Sequence, residues 1–140
     1  MFVQSSFGDR LGAFGSVCAW PVAETPRGQE RLDVLLPPTA RYAEKLSTPR
    51  LENGFCTLTK PAACESIAFR LDAAQIRYIG VWLCHGGWPD SSHGHYTLAL
   101  EPCSGRPDSL AEAIAGRENG AAGAAKRWTL RIQLSSGAFV

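Results

Sequence analysis

"YIGVWLCHGGWPDSSHGHYTLALEP", residues 78–102, opens with a run that is apolar at odd and even positions alike. That is the pattern of a strand buried on both faces in the middle of a sheet. Gly86-Gly87 closes the run with a turn signal before Trp88-Pro89. After a polar loop the chain alternates: Tyr96, Leu98 and Leu100 point one way, while His95, Thr97, Ala99 and Glu101 point the other. The second segment is therefore predicted as the hairpin partner or near neighbour of the first, with Tyr96, Leu98 and Leu100 on the core face. Pro102 is expected to end its pairing and so to leave Glu101 at a strand end, where sites are commonly built.

Outward from this pair, the same period of two recurs. In "ESIAFRLD" Ile67, Phe69 and Leu71 share a face, and "RWTLRIQLS" places Trp128, Leu130, Ile132 and Leu134 opposite Thr129, Arg131 and Gln133, as in a half-buried antiparallel strand. One short helix is expected in "PDSLAEAIAGR", with Ser109 and Glu112 at capping-box spacing, Leu110, Ala113 and Ile114 on one face and Gly116 near the stop. Residues 12–38, rich in Gly and Pro, read as a surface excursion around a short strand at 32–36, and residues 118–127 as a second loop. The sum is an all-β, antiparallel β-sandwich with one short helix, in a single domain over residues 1–140.

Composition narrows the function classes. The 140 residues carry a formal charge of +1 with no basic block, which gives nucleic acid no electrostatic footprint. Neither a leader pattern nor an apolar run of membrane-spanning length is present, so a cytoplasmic protein without a membrane partner is expected. The five cysteines form no C-x-x-C pair and read as buried free thiols. None lies in a context that would make it a nucleophile, and no G-x-S-x-G elbow occurs. His93-x-His95 followed by Glu101 is similar to the cupin ligand set, but five residues separate His95 from Glu101 and no later histidine supplies the distant ligand. A cupin-like metal enzyme is thus the least favoured reading, and neither metal nor cofactor is expected.

Around Glu101 the chain concentrates Tyr78, Trp82, Trp88 and Tyr96 with His85, His93 and His95. Aromatic faces with convergent hydrogen-bonding groups suit sugar rings, although for each of these aromatics taken singly a core position is the stronger reading. Glycoside hydrolysis would need a second carboxylate, for which Glu65, Asp90 and Asp108 are available and spacing selects none.

The blocks "YIGVWLCHGGWP", "HYTLALEPCSGRPDSLAEAI" and "KRWTLRIQL", with "ARYAEKLSTPRLENGFCTL" upstream, resemble the C-terminal part of aldose 1-epimerase (galactose mutarotase)-like proteins over about residues 42–134. The resemblance implies part of a large antiparallel β-supersandwich with a sugar-binding concave sheet. It implies that Glu101 takes the proton of the anomeric hydroxyl while a histidine protonates the ring oxygen, and that the partner is a monosaccharide or sugar derivative. Trp82, His85, Trp88 and His95 are the candidate sugar-contacting residues. The chain departs from the family in two respects. The family is longer, and its acidic histidine belongs to an N-terminal half without a counterpart here; His85, His93 and His95 do not match it. Cys84 stands where asparagine is expected, and His85 is atypical beside the Gly86-Gly87 turn. The expectation is a carbohydrate-binding chain, an aldose 1-epimerase-type isomerase if active, truncated and inactive alone. The alternative is a non-catalytic β-sandwich that binds or forms a homo-oligomer through an open sheet.

Overall fold

In the computed structural model the described residues are 1–7, 11, 15–90, 92–107, 109–118 and 127–137. In chain order the strands are β1 (Phe2–Phe7), β2 (Val22–Thr25), β3 (Gly28–Arg31), β4 (Tyr42–Ser47), β5 (Phe55–Lys60), β6 (Glu65–Leu71), β7 (Tyr78–His85), β8 (Tyr96–Cys103) and β9 (Leu130–Ser136); α1 (Leu110–Ala115) lies between β8 and β9. They form a four-stranded sheet in the order β1-β4-β7-β8, a β2-β3 hairpin, and a three-stranded sheet in the order β5-β6-β9. Every strand pair is antiparallel. The chain has the all-β, sandwich-like architecture expected of its alternating pattern, and its sheets do not close into a barrel. No helix among the described residues is long and apolar enough to cross a membrane.

β7 is the central strand that its two-sided apolar pattern requires, flanked by β4 and β8. Its register pairs Leu83 with Leu98 and Val81 with Leu100 on one side, and Leu83 with Glu44 and Val81 with Leu46 on the other. Residues opposite each other in an antiparallel pair share a face. Leu46, Ile79, Val81, Leu83, Leu98 and Leu100 therefore make the inner face, and this is where the core lies, joined by buried Leu11, Ala23 and Leu32. Cys56 and Leu71 of the three-stranded sheet pack against that cluster. The β7-β8 turn depends on Gly86, whose φ of +80° is unfavourable for other residues and whose added Cβ would lie 2.2 Å from the Pro38 carbonyl oxygen.

Several expectations are corrected. Residues 32–36 form no strand; the sheet structure of the excursion is the β2-β3 hairpin just before them, turned at Pro26-Arg27 with Gly28 at φ +106°. The apolar character of 32–36 instead serves docking: Leu32 is buried, and the Leu36 N–H donates to His85 Nδ1 at 3.2 Å. Pro102 does not end β8, because β8 is an edge strand and a missing N–H can face away from the ladder. Pairing continues through Ile79 with Pro102 to Tyr78 with Cys103. β9 forms, yet it is not half-buried: Ile132 is 53% and Leu134 76% exposed, since no layer among the described residues covers their side of this edge strand.

α1 starts at Ser109, whose Oγ accepts the Glu112 N–H, but only Ala113 of its expected apolar face is buried, and Leu110 and Ile114 are exposed. Of the five free cysteines only Cys84 is buried; Cys18, Cys56 and Cys103 are half-buried and Cys64 is exposed. The second expected loop falls, from 119 to 126, outside the described residues.

Candidate functional site

The outer face of the four-stranded sheet is built by the residues that alternate with the core positions. Ala43, Lys45 and Ser47 of β4 stand opposite Cys84, Trp82 and Gly80 of β7, which stand opposite Thr97, Ala99 and Glu101 of β8. Three features are concentrated on this surface: an ion pair, an aromatic wall and a glycine over which a carboxylate lies.

The ion pair joins Glu101 to Lys45, two strands away, with Lys45 Nζ 2.9 Å from Glu101 Oε2. Register alone would not bring them together, for Lys45 faces Trp82 while Glu101 faces Gly80. Gly80 makes the diagonal contact feasible. A Cβ at that position would lie 3.3 Å from both Glu101 Cβ and Glu101 Oε2, so the carboxylate lies across the place where a side chain would stand. The side chains are 19% exposed at Lys45 and 39% at Glu101, leaving the carboxylate open to solutes.

The aromatic wall stands beside this pair. Trp82 is half-buried on β7, next to Lys45 and Ala99 in the register. Trp88 folds back from the β7-β8 turn and meets it edge-on, with ring centroids 6.0 Å apart at 88°. His95 lies 5.6 Å from Trp88. Backbone bonds fix this corner: the His95 N–H donates to the Trp88 carbonyl at 2.7 Å, and the Gly86 N–H donates to the His95 carbonyl at 2.8 Å. The result is a half-exposed indole, an exposed imidazole and an ion pair side by side, a surface that can take a flat, partly apolar ring while bonding its hydroxyls.

Of the residues singled out from sequence, Glu101, Trp82, Trp88 and His95 share this face. His85 does not. It is fully buried on the inner face, 4.5 Å from the Tyr42 ring, and ties residues 32–36 to the end of β7 through Leu36. His93 is engaged in a loop closed by Asp90, whose Oδ1 accepts from the N–H groups of Ser92 and His93 and from the Ser92 hydroxyl. These bonds hold the Asp90 carboxyl below its ordinary value. Asp90 is thus committed to its own turn, Glu65 starts a strand of the other sheet, and Asp108 lies outside the described residues. The partner of Glu101 is a cation. Lys45 was not legible as a site residue: "YAEKLS" shows two adjacent charges in a short run, and only the β4-β7-β8 register reveals that Lys45 joins Glu101 while Glu44 is buried on the opposite face.

On the inner side a cleft of about 910 Å³ separates the sheets, with Val81, Leu83, Leu98 and Leu100 facing Cys56 and Leu58. Neither Lys45 nor Glu101 borders it. Among the described residues no group of three or more His, Cys, Asp or Glu converges to hold a metal ion. No protein-family model matches the chain, and neither a curated protein nor a solved structure is significantly similar to it.

Proposed function

We propose that the outer face of the four-stranded sheet binds a saccharide ring and that Glu101 acts there as the general base that interconverts the anomers of a free aldose. One observation carries this reading: the Lys45–Glu101 ion pair lies on the same face as the Trp82–Trp88–His95 wall. The indoles supply the apolar surface for the ring, and Glu101, paired with the Lys45 ammonium and partly open to solvent, supplies the proton acceptor. Hydrolysis of a glycoside is less well served. It requires a second carboxylate about 5 to 9.5 Å away, and the register neighbours of Glu101 on this face are Gly80, Ala99 and Cys103.

The test is polarimetric. Fresh α-glucose or α-galactose equilibrates faster with the chain than without it, and Glu101→Gln loses about 10²-fold or more of that acceleration, while sugar-dependent tryptophan emission persists. Equal rates with and without the wild-type chain would defeat the catalytic reading.

A second reading, association of two copies through the three-stranded sheet, is supported by the exposed apolar residues Trp128, Ile132 and Leu134 at and beside edge strand β9.

A further inference from the structure

Anomer interconversion needs an acid as well as a base, and the geometry points to Lys45 as that acid. This inference rests on the saccharide reading of the outer face. In a cyclic aldose the anomeric hydroxyl and the ring oxygen are both bonded to C1, so an acid and a base that stand side by side can serve both oxygens. Lys45 Nζ and Glu101 Oε2 are adjacent, 2.9 Å apart, and the Glu101 side chain lies over Gly80, where a Cβ would come within 3.3 Å of it. Lys45 stands on β4 directly beside Trp82, so a ring lying on the indoles lies next to the pair.

The step balances without a co-reactant. Glu101 removes the proton of the C1 hydroxyl, and that O–H electron pair becomes the second bond of the C1 carbonyl. The C1–ring oxygen bond breaks, its electrons pass to the ring oxygen, and that oxygen takes a proton from Lys45 Nζ. The products are the open-chain aldehyde, a neutral carboxyl at Glu101 and a neutral amine at Lys45. Rotation about C1–C2 exposes the other carbonyl face. On reclosure the attacking hydroxyl returns its proton to Lys45, the carbonyl oxygen recovers one from Glu101, and the original ion pair is restored. One pair thus serves both directions, as an isomerisation between two similar anomers requires.

Two substitutions separate proton donation from simple charge. Lys45→Met removes both; Lys45→Arg keeps a cation for Glu101 but offers a guanidinium that does not give up its proton in proteins. With the full chain and fresh α-glucose or α-galactose, each variant is expected to lose about 10²-fold or more of the acceleration. Lys45→Arg retains the wild-type melting behaviour and keeps sugar-dependent tryptophan emission within about threefold of wild type. Should Lys45→Met fail to fold, Lys45→Arg alone decides. Wild-type rates in Lys45→Arg, or in a folded Lys45→Met, while Glu101→Gln is inactive, would overturn the role of Lys45 and leave the saccharide reading standing. A wild-type chain that accelerates neither sugar overturns that reading, and the assignment of Lys45 with it.

Discussion

Gly80 is the residue on which the outer face turns. A glycine inside a central strand loses more backbone freedom on folding than alanine would, by about 0.5–1 kcal/mol, and here that loss accompanies a position across which the Glu101 side chain reaches Lys45. Adding a methyl group sets a gain in chain entropy against crowding at 3.3 Å from Glu101. Gly80→Ala is therefore expected to change thermal stability by no more than about 1 kcal/mol, and Gly80→Val to cost more. Both push the carboxylate away from the ammonium, and misplacement of a reacting group by about 1 Å can cost up to about 10²-fold. Melting curves beside polarimetric rates check the separation: a folded Gly80→Val with the wild-type rate would show that the ion pair is not the reacting unit. His85 illustrates the opposite case. Its sequence context beside the aromatics suggested a sugar contact, but strand parity turns it inward, where Leu36 and Tyr42 engage it as part of the core.

At the scale of elements, what was legible followed from local period and what was missed followed from long-range register. β7 and β8 were readable because a two-sided apolar run followed by strict alternation is hard to produce in any other structure, and Ser109 marked the start of α1 by the chemistry of its cap. β4 was obscured because Glu44 and Lys45 interrupt the apolar pattern, and the partner of Lys45 is found two strands away. The connection after β8 is fastened in the same long-range manner. Arg106 Nη2 lies 2.6 Å from Glu118 Oε1, the Arg106 N–H donates to Glu118 Oε2, and Arg77 Nη2 donates to the Glu118 carbonyl. Both guanidinium groups lie over the Tyr78 ring, at 5.8 Å for Arg77 and 5.5 Å for Arg106. The Arg106 guanidinium holds the Glu118 carboxyl below its ordinary value of 4.5. A carboxyl lowered on folding stabilises the native state above its unfolded value, and the contribution disappears as pH falls from there through the folded value. Urea melts at about pH 6 and about pH 3 should show an acid-dependent loss of the order of 1 kcal/mol or less from this pair. That portion is expected to shrink in Arg106→Ala, which removes the guanidinium but keeps the backbone N–H on Glu118 Oε2; an unchanged acid dependence in the variant would remove the link from the account.

For the molecule as a whole, the two sheets are covered unequally. The inner face of β4, β7 and β8 collects most of the core, and β5 and β6 lean on it through Cys56 and Leu71. The same face of the three-stranded sheet continues outward through β6 to Ile132 and Leu134, which pair with Phe69 and Ile67, and there apolar side chains meet water. Among the described residues β9 is also an edge, so an exposed apolar row is combined with a ladder side that no described strand occupies, an arrangement that favours addition of another strand. Burying a side chain the size of leucine or isoleucine contributes about 1.5–3 kcal/mol, and a two-fold contact would use each such residue twice. The weight-average mass by light scattering is therefore expected to rise with protein concentration. Leu134→Lys should hold the chain at the monomer mass with its own stability changed by no more than about 0.5 kcal/mol, because that side chain contributes little to the monomer core. Because β9 and the Lys45–Glu101 pair belong to different sheets, the same substitution should leave the polarimetric rate per chain unaltered. A wild-type chain that stays monomeric at all concentrations would remove the association reading without touching the chemistry of the other sheet.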